Sequence, residues 1–217
     1  MMAVSLFCTN CQGSSLREYL LENTMSRKSI WFGIVSITLI AVLLGGYFFL
    51  MRKPVLYGAV VNPPMPAAEI NTIDMRGNTF RVSGLRGKVV MLYFGYVNCP
   101  TECPLTMAHL KQALDILGTN AQDVQVAMIS TDPGRDTPQS MSEFLGKFDS
   151  TFLGITGKPD DLAKIYQEYG IVVLEGGETH SSFTYVIDRK GQLRLTFVPD
   201  STPEDIAHDL KIILAEN

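Results

Sequence analysis

Apolar positions divide this 217-residue chain into stretches of different character. Residues 30–50 read IWFGIVSITLIAVLLGGYFFL, a run of 21 without a charge. At about 1.5 Å rise per residue, a helix of that length crosses the roughly 30 Å hydrocarbon core of a bilayer. From residue 67 onward, short apolar runs alternate with amphipathic ones. Residues 88–96 (KVVMLYFGY) are a continuous β-branched and aromatic run, the pattern of a strand buried on both faces, and residues 124–130 repeat it. Residues 104–117 have helical spacing, with Leu110, Ala113, Leu114 and Leu117 on one face and Gly118 as the stop. Thr137-Pro138 opens a further helix as N-cap and first residue. A short strand follows at 152–155, then a helix at 160–169 closed by Gly170. Two hairpins frame the region, one at 72–82 around Met75-Arg76-Gly77-Asn78, the other at 183–198 through Asp188-Arg189-Lys190-Gly191. Thr202-Pro203-Glu204 starts a last amphipathic helix. The order predicts an α/β domain with a mixed central sheet and helices on both faces.

Flanking residues decide how the long apolar run is read. A secretory signal has an apolar region of about 7–15 residues and a small-x-small cleavage site. Here the run ends in Phe48, Phe49, Leu50 and Met51, then Arg52 and Lys53, and no Cys follows to accept a lipid. An uncleaved single transmembrane anchor over 30–50 is expected. Arg27 and Lys28 balance Arg52 and Lys53, and Arg17 adds one positive charge on the amino-terminal side, which favours that side as cytoplasmic. The 67–217 domain is then periplasmic, on a bacterial inner membrane. Residues 1–24 contain Glu18 and Glu22 and are not Arg-rich, a poor match to a mitochondrial transit peptide. Met25-Ser26-Arg27-Lys28 would itself make a compact start, so 1–24 is expected to be a mis-called start within a 1–29 tail. Residues 51–66 carry Pro54, Pro63, Pro64 and Pro66 and read as an extended linker.

Charge excludes one class of partner. The whole chain carries 18 Lys and Arg against 22 Asp and Glu, and the acidic excess lies within 67–217. No basic surface for nucleic acid is expected.

The chemistry concentrates at Cys99-Pro100-Thr101-Glu102-Cys103-Pro104, between the first long strand and the first long helix. In α/β folds ligands gather beyond the carboxyl ends of strands. A residue before Pro is pushed out of the α region, so the helix is expected to begin at Pro104, with both thiols just ahead of it. There the unpaired N–H groups favour thiolate. Two such sulfurs can chelate a soft metal or close into a disulfide, and spacing alone does not choose. His180 stands in a polar loop, Gly176-Gly177-Glu178-Thr179-His180-Ser181-Ser182, whereas His109 and His208 fall in helices. Two thiolates and an imidazole suit Cu(I), with zinc as the rival. Structural zinc normally takes a fourth protein ligand, and none is suggested.

Gly87-Lys88 before the strand, Cys99-Pro100-x-x-Cys103-Pro104, Asp132-Pro133-x-x-Asp136-Thr137-Pro138, His180-Ser181 and Tyr185-Val186-Ile187-Asp188 together resemble the Sco/SenC family over nearly all of 67–217. The anchor and linker match as well. The resemblance implies a thioredoxin-like fold and copper bound by Cys99, Cys103 and His180, as Cu(I) and with Cu(II) left open. It implies delivery to the cytochrome c oxidase subunit that carries the CuA site. A thiol reductant and other copper chaperones follow as partners. Asp132 and Asp136 match an acidic motif, with Asp136 expected near the copper loop. The alternative is thiol–disulfide exchange on a copper-site apoprotein, with Cys99 and Cys103 as a redox disulfide. The extra residue between the cysteines, and Ser182 where thioredoxin-like enzymes place a Pro, weigh against a general oxidoreductase. A thiol peroxidase lacks its oxygen-orienting residues at Gly95, Tyr96 and Val97. The Cys8-x-x-Cys11 pair is not part of the pattern.

Overall fold

The computed structural model describes residues 27–51, 55–174 and 182–216. Cys8, Cys11 and His180 lie outside the described residues. The chain divides into two compact units, Met1–Lys53 and Pro54–Asn217. In the first, helix α1 (Arg27–Leu50) is unbroken over 24 residues. Its portion Ser29–Leu50 is long and apolar enough to cross a membrane. The Thr38 hydroxyl donates back to the carbonyls of Ile34 and Val35, so its polar group is satisfied within the helix, as an apolar solvent demands.

The second unit runs β1 (Ala59–Pro66), β2 (Asn71–Ile73), β3 (Thr79–Arg81), β4 (Val89–Gly95), α2 (Glu102–Leu117), β5 (Val124–Ser130), α3 (Pro138–Leu145), β6 (Leu153–Ile155), α4 (Pro159–Glu168), β7 (Thr184–Ile187), β8 (Gln192–Phe197) and α5 (Pro203–Ala215). Six strands form one mixed sheet in the order β1-β8-β7-β4-β5-β6, while β2 and β3 pair separately. β4, β5 and β6 are parallel, whereas β7, β8 and β1 each run antiparallel to the neighbour before them. All seven residues of β4 are buried, as its unbroken apolar run requires. Val89, Met91 and Tyr93 point to one face, under apolar residues of α2, α3 and α5. Val90, Leu92 and Phe94 point to the other, where Leu162 and Ile165 of α4 join Ile70, Phe80 and Val82 beside the β2–β3 hairpin. The expected mixed sheet covered on both sides is the observed one.

Local chemistry places the helix starts. Thr137 caps α3 with its side chain and exchanges a reciprocal bond with Ser140, while Pro138 takes the first helical position. Thr202 caps α5 in the same way through Asp205 N–H, again followed by Pro.

The Pro-rich segment differs from the expected linker. Residues 59–66 form β1, paired with the outer edge of β8. Proline is compatible with an edge strand because one side of it needs no ladder donor, and the register shifts between Val60 and Met65, where Pro63 and Pro64 fall. Asp209, fully buried on α5, locks the segment just before it. Its carboxylate accepts from Tyr57 N–H at 2.9 Å and Gly58 N–H at 2.8 Å. The Tyr57 ring meets His208 edge-on at 4.9 Å. Asp209→Ala leaves both N–H groups without an acceptor and is expected to cost about 2–4 kcal/mol. Hydrogen exchange at the Tyr57 and Gly58 amides should accelerate, and the urea midpoint should fall.

Candidate metal centre

The site forms where β4 ends. Gly95 is the last residue of the strand, a loop carries Tyr96 to Thr101, and α2 begins at Glu102. The helix thus starts two residues before the Pro104 expected from sequence, and Cys103 lies inside its first turn. Pro104 tolerates this because the first helical N–H groups have no intrahelical acceptor to lose. The first turn is closed by Leu105 N–H on Thr101 O at 3.2 Å, one residue beyond the proline.

Helical placement turns Cys103 toward the sheet, where it is buried, while Cys99 stays in the loop and is half-buried. The two face each other: Cys103 N–H donates to Cys99 Sγ at 3.4 Å. Behind them, Tyr93 O–H donates to Cys103 Sγ at 3.4 Å. Gly95 makes room for this contact. A Cβ there would lie 2.8 Å from Cys103 Sγ and 2.6 Å from the Tyr93 ring, which excludes any larger residue without displacement.

This geometry splits two chemically equal thiols. Partial burial opposes ionisation of Cys99, but the N–H groups of Cys103, Thr101 and Glu102 at the helix entrance outweigh it, and its pKa falls below the ordinary 9.0. For Cys103, burial pushes the thiol up to about 12; the Tyr93 hydroxyl and the Tyr96 backbone only partly offset it. Only one of the two sulfurs therefore has the raised acidity expected for both.

Asp136 is buried behind the loop. Its carboxylate accepts from Ser130 Oγ at 2.6 Å and from Val97 N–H at 3.2 Å, which ties the end of β5 to the backbone two residues before Cys99. Burial raises its pKa, against the pull of those two donors. Asp132 has a different part. Its carboxylate pairs with Arg135, and its carbonyl accepts the Arg135 and Asp136 N–H groups, so it shapes the turn that presents Asp136.

A cavity of about 260 Å³ opens over the pair, lined by Tyr93, Gly95, Tyr96, Cys99, Cys103 and Ser182 among others. Ser182 Oγ donates to Glu102 at 2.7 Å, so the chain just past His180 meets the segment between the cysteines. Among the described residues no further His, Cys, Asp or Glu completes a three-ligand cluster with the sulfurs. His109 is turned elsewhere, with Nδ1 3.1 Å from Ser201 O, and His208 pairs with Asp209. The cavity, the two facing sulfurs and their lack of a disulfide fit a soft ion. Tyr93, Gly95, Ser130 and Thr106 carry no motif that singles them out in sequence.

Two outcomes are expected. In the reduced protein at neutral pH, iodoacetamide should modify Cys99 well before Cys103, because the Cys99 pKa is lowered while that of Cys103 is pushed up to about 12; peptide mass spectrometry reads the order. Gly95→Ala should destabilise the fold by about 1–3 kcal/mol through overpacking and weaken Cu(I) binding, checked by thermal unfolding and a competition titration.

A family model described as SCO1/SenC matches residues 67–215. The SCO2-like protein of Rickettsia felis is 31% identical over 152 residues, covering 66% of this chain and 74% of that protein. Among solved structures, Bradyrhizobium japonicum ScoI with copper bound is 32% identical with a TM-score of 0.60, covering 69% of this chain and 99% of that one. Apo Sco1 of Thermus thermophilus is also 32% identical, with a TM-score of 0.64, covering 72% and 96%. The matched residues hold the cysteine pair and five of the six strands of the sheet beneath it, and the chain belongs to the SCO1/SenC family of thioredoxin-like proteins.

Proposed function

We propose that the protein is a membrane-anchored copper carrier that holds Cu(I) through Cys99, Cys103 and His180 and delivers it during assembly of the CuA site of cytochrome c oxidase. The observation that carries this reading is the facing pair of free sulfurs at the mouth of a cavity, one of them half-exposed. An ordinary structural pair would be buried alike. Copper-bound ScoI of Bradyrhizobium japonicum supports copper as the cargo.

Cys99, with its lowered pKa and open side, meets incoming copper first. Cys103 must give up its proton as it binds, since a coordinating sulfur is thiolate. His180, two residues before Ser182 in the sequence, is the third ligand of the set. Asp136 holds the Val97 amide and so keeps the loop in the shape that faces the sulfurs toward each other. A set with three protein ligands leaves room for an acceptor's Cys or His to enter, so transfer proceeds by ligand exchange. Helix α1, long and apolar enough to cross a membrane, supports an anchored protein, which we assign to the bacterial inner membrane with the domain in the periplasm.

The inequality of the thiols favours a second reading at the same site. Cys99 thiolate attacks a disulfide in an acceptor protein, and one acceptor sulfur leaves as thiolate. Cys103, once deprotonated, then attacks the Cys99 sulfur of the mixed disulfide, releases the second acceptor thiolate and leaves a Cys99–Cys103 disulfide. A thiol reductant must restore the pair. Both uses can serve one acceptor.

Anaerobic Cu(I) titration of the reduced protein separates them. The carrier binds one Cu(I), and His180→Ala weakens binding by more than about tenfold, while Cys99→Ser or Cys103→Ser removes tight binding. Copper binding that ignores His180, together with retained disulfide reduction, would instead assign the site to electron transfer.

A further inference from the structure

The Cys103 sulfur has a neighbour that neither copper binding nor disulfide exchange by itself requires. Tyr93 is 1% exposed, and its hydroxyl donates to sulfur rather than to the oxygen or nitrogen that usually serves a buried tyrosine. Thr106 lies one turn along α2 from Cys103 and is also buried, with its Oγ1 lacking a hydrogen-bond partner. Helical threonines commonly satisfy that hydroxyl on the carbonyl one turn back, and this one does not. The Tyr93 hydroxyl lies beside it. A buried polar atom left over in this way calls for an explanation.

We propose that Thr106 and Tyr93 form a directed chain, Thr106 O–H toward Tyr93 Oη and Tyr93 O–H toward Cys103 Sγ, which makes Tyr93 the positioning residue for the inner sulfur. The inference rests on Cys99 and Cys103 being the reactive pair. A hydrogen bond to sulfur strengthens as the sulfur gains negative charge; Cys103 bears that charge fully as a metal ligand and partly in the dithiol, where its proton is shared with the Cys99 thiolate, so the chain favours the metal-bound and reduced states over the disulfide. Such bonds are one lever by which proteins tune metal–thiolate sites. Thr106 acts through Tyr93: with its own O–H donated, it polarises the tyrosine toward the sulfur. The missing Cβ at Gly95 leaves the space in which the tyrosine ring and the sulfur meet.

Tyr93→Phe, Thr106→Val and the double variant test this in the full chain in detergent. Both changes keep side-chain shape. The dithiol–disulfide equilibrium is measured against glutathione without copper, and Cu(I) affinity by competition with bicinchoninate. Tyr93→Phe should move the equilibrium toward disulfide by about fivefold and weaken Cu(I) by about tenfold. Thr106→Val should act in the same direction by about twofold, and should add nothing when combined with Tyr93→Phe. An unmoved equilibrium in Tyr93→Phe overturns the proposal, and so does a Thr106→Val effect equal in both backgrounds. A copper affinity that falls only in step with the thermal midpoint, with the equilibrium unmoved, marks a merely structural role and also overturns it. If the wild type binds no copper, the carrier reading fails, while the copper-free equilibrium still decides this one.

Discussion

Burial of the Cys103 sulfur between the end of β4 and the first turn of α2 is the constraint around which the site is built. It requires α2 to start early enough to turn Cys103 inward, and β4 to end in a residue without a side chain. It requires a partner for the sulfur in an apolar surrounding, which the Tyr93 hydroxyl supplies. Cys99 is left on the outer side of the loop by the same geometry. Two residues of one type thereby become different reagents: one open and readily ionised, one closed and held as thiol.

The loop between strand and helix needs support, because its backbone donors face both ways. Helix-entrance N–H groups serve Cys99, and Asp136 serves Val97 from behind. Asp136 is in turn held by Ser130 at the end of β5, the parallel neighbour of β4. The cysteine loop is therefore set by two adjacent strand ends, the place where an α/β sheet gathers ligands.

A second lock lies along the chain leading into the domain. The buried Asp209 carboxylate gathers the Tyr57 and Gly58 amides, and β1 then continues along β8. Much of the expected free linker is thus part of the folded unit. Proline content still describes it correctly as extended backbone, since the same φ restriction suits an edge strand.

Local sequence pattern alone determined the order of strands and helices from β2 onward, the buried centre at β4 and β5, the capped helix starts at Thr137 and Thr202 and the length of the amino-terminal apolar helix. These are local properties, set by side-chain pattern and backbone preference within a few residues. The motif order marked Cys99, Cys103, Asp132 and Asp136 as candidates, and the structure brings the cysteines face to face with Asp136 behind their loop. His180 falls outside the described residues, so its place rests on the motif. Only the tertiary structure decided where α2 begins, which thiol is buried, that 59–66 joins the sheet and that Tyr93 reaches Cys103. Each depends on contacts between residues whose spacing carries no local signal. Tyr93 reads simply as one apolar-face position of a strand, and Asp209 as a polar residue of a helix. Their roles emerge when desolvation leaves a sulfur, or two amides, with nowhere else to bond.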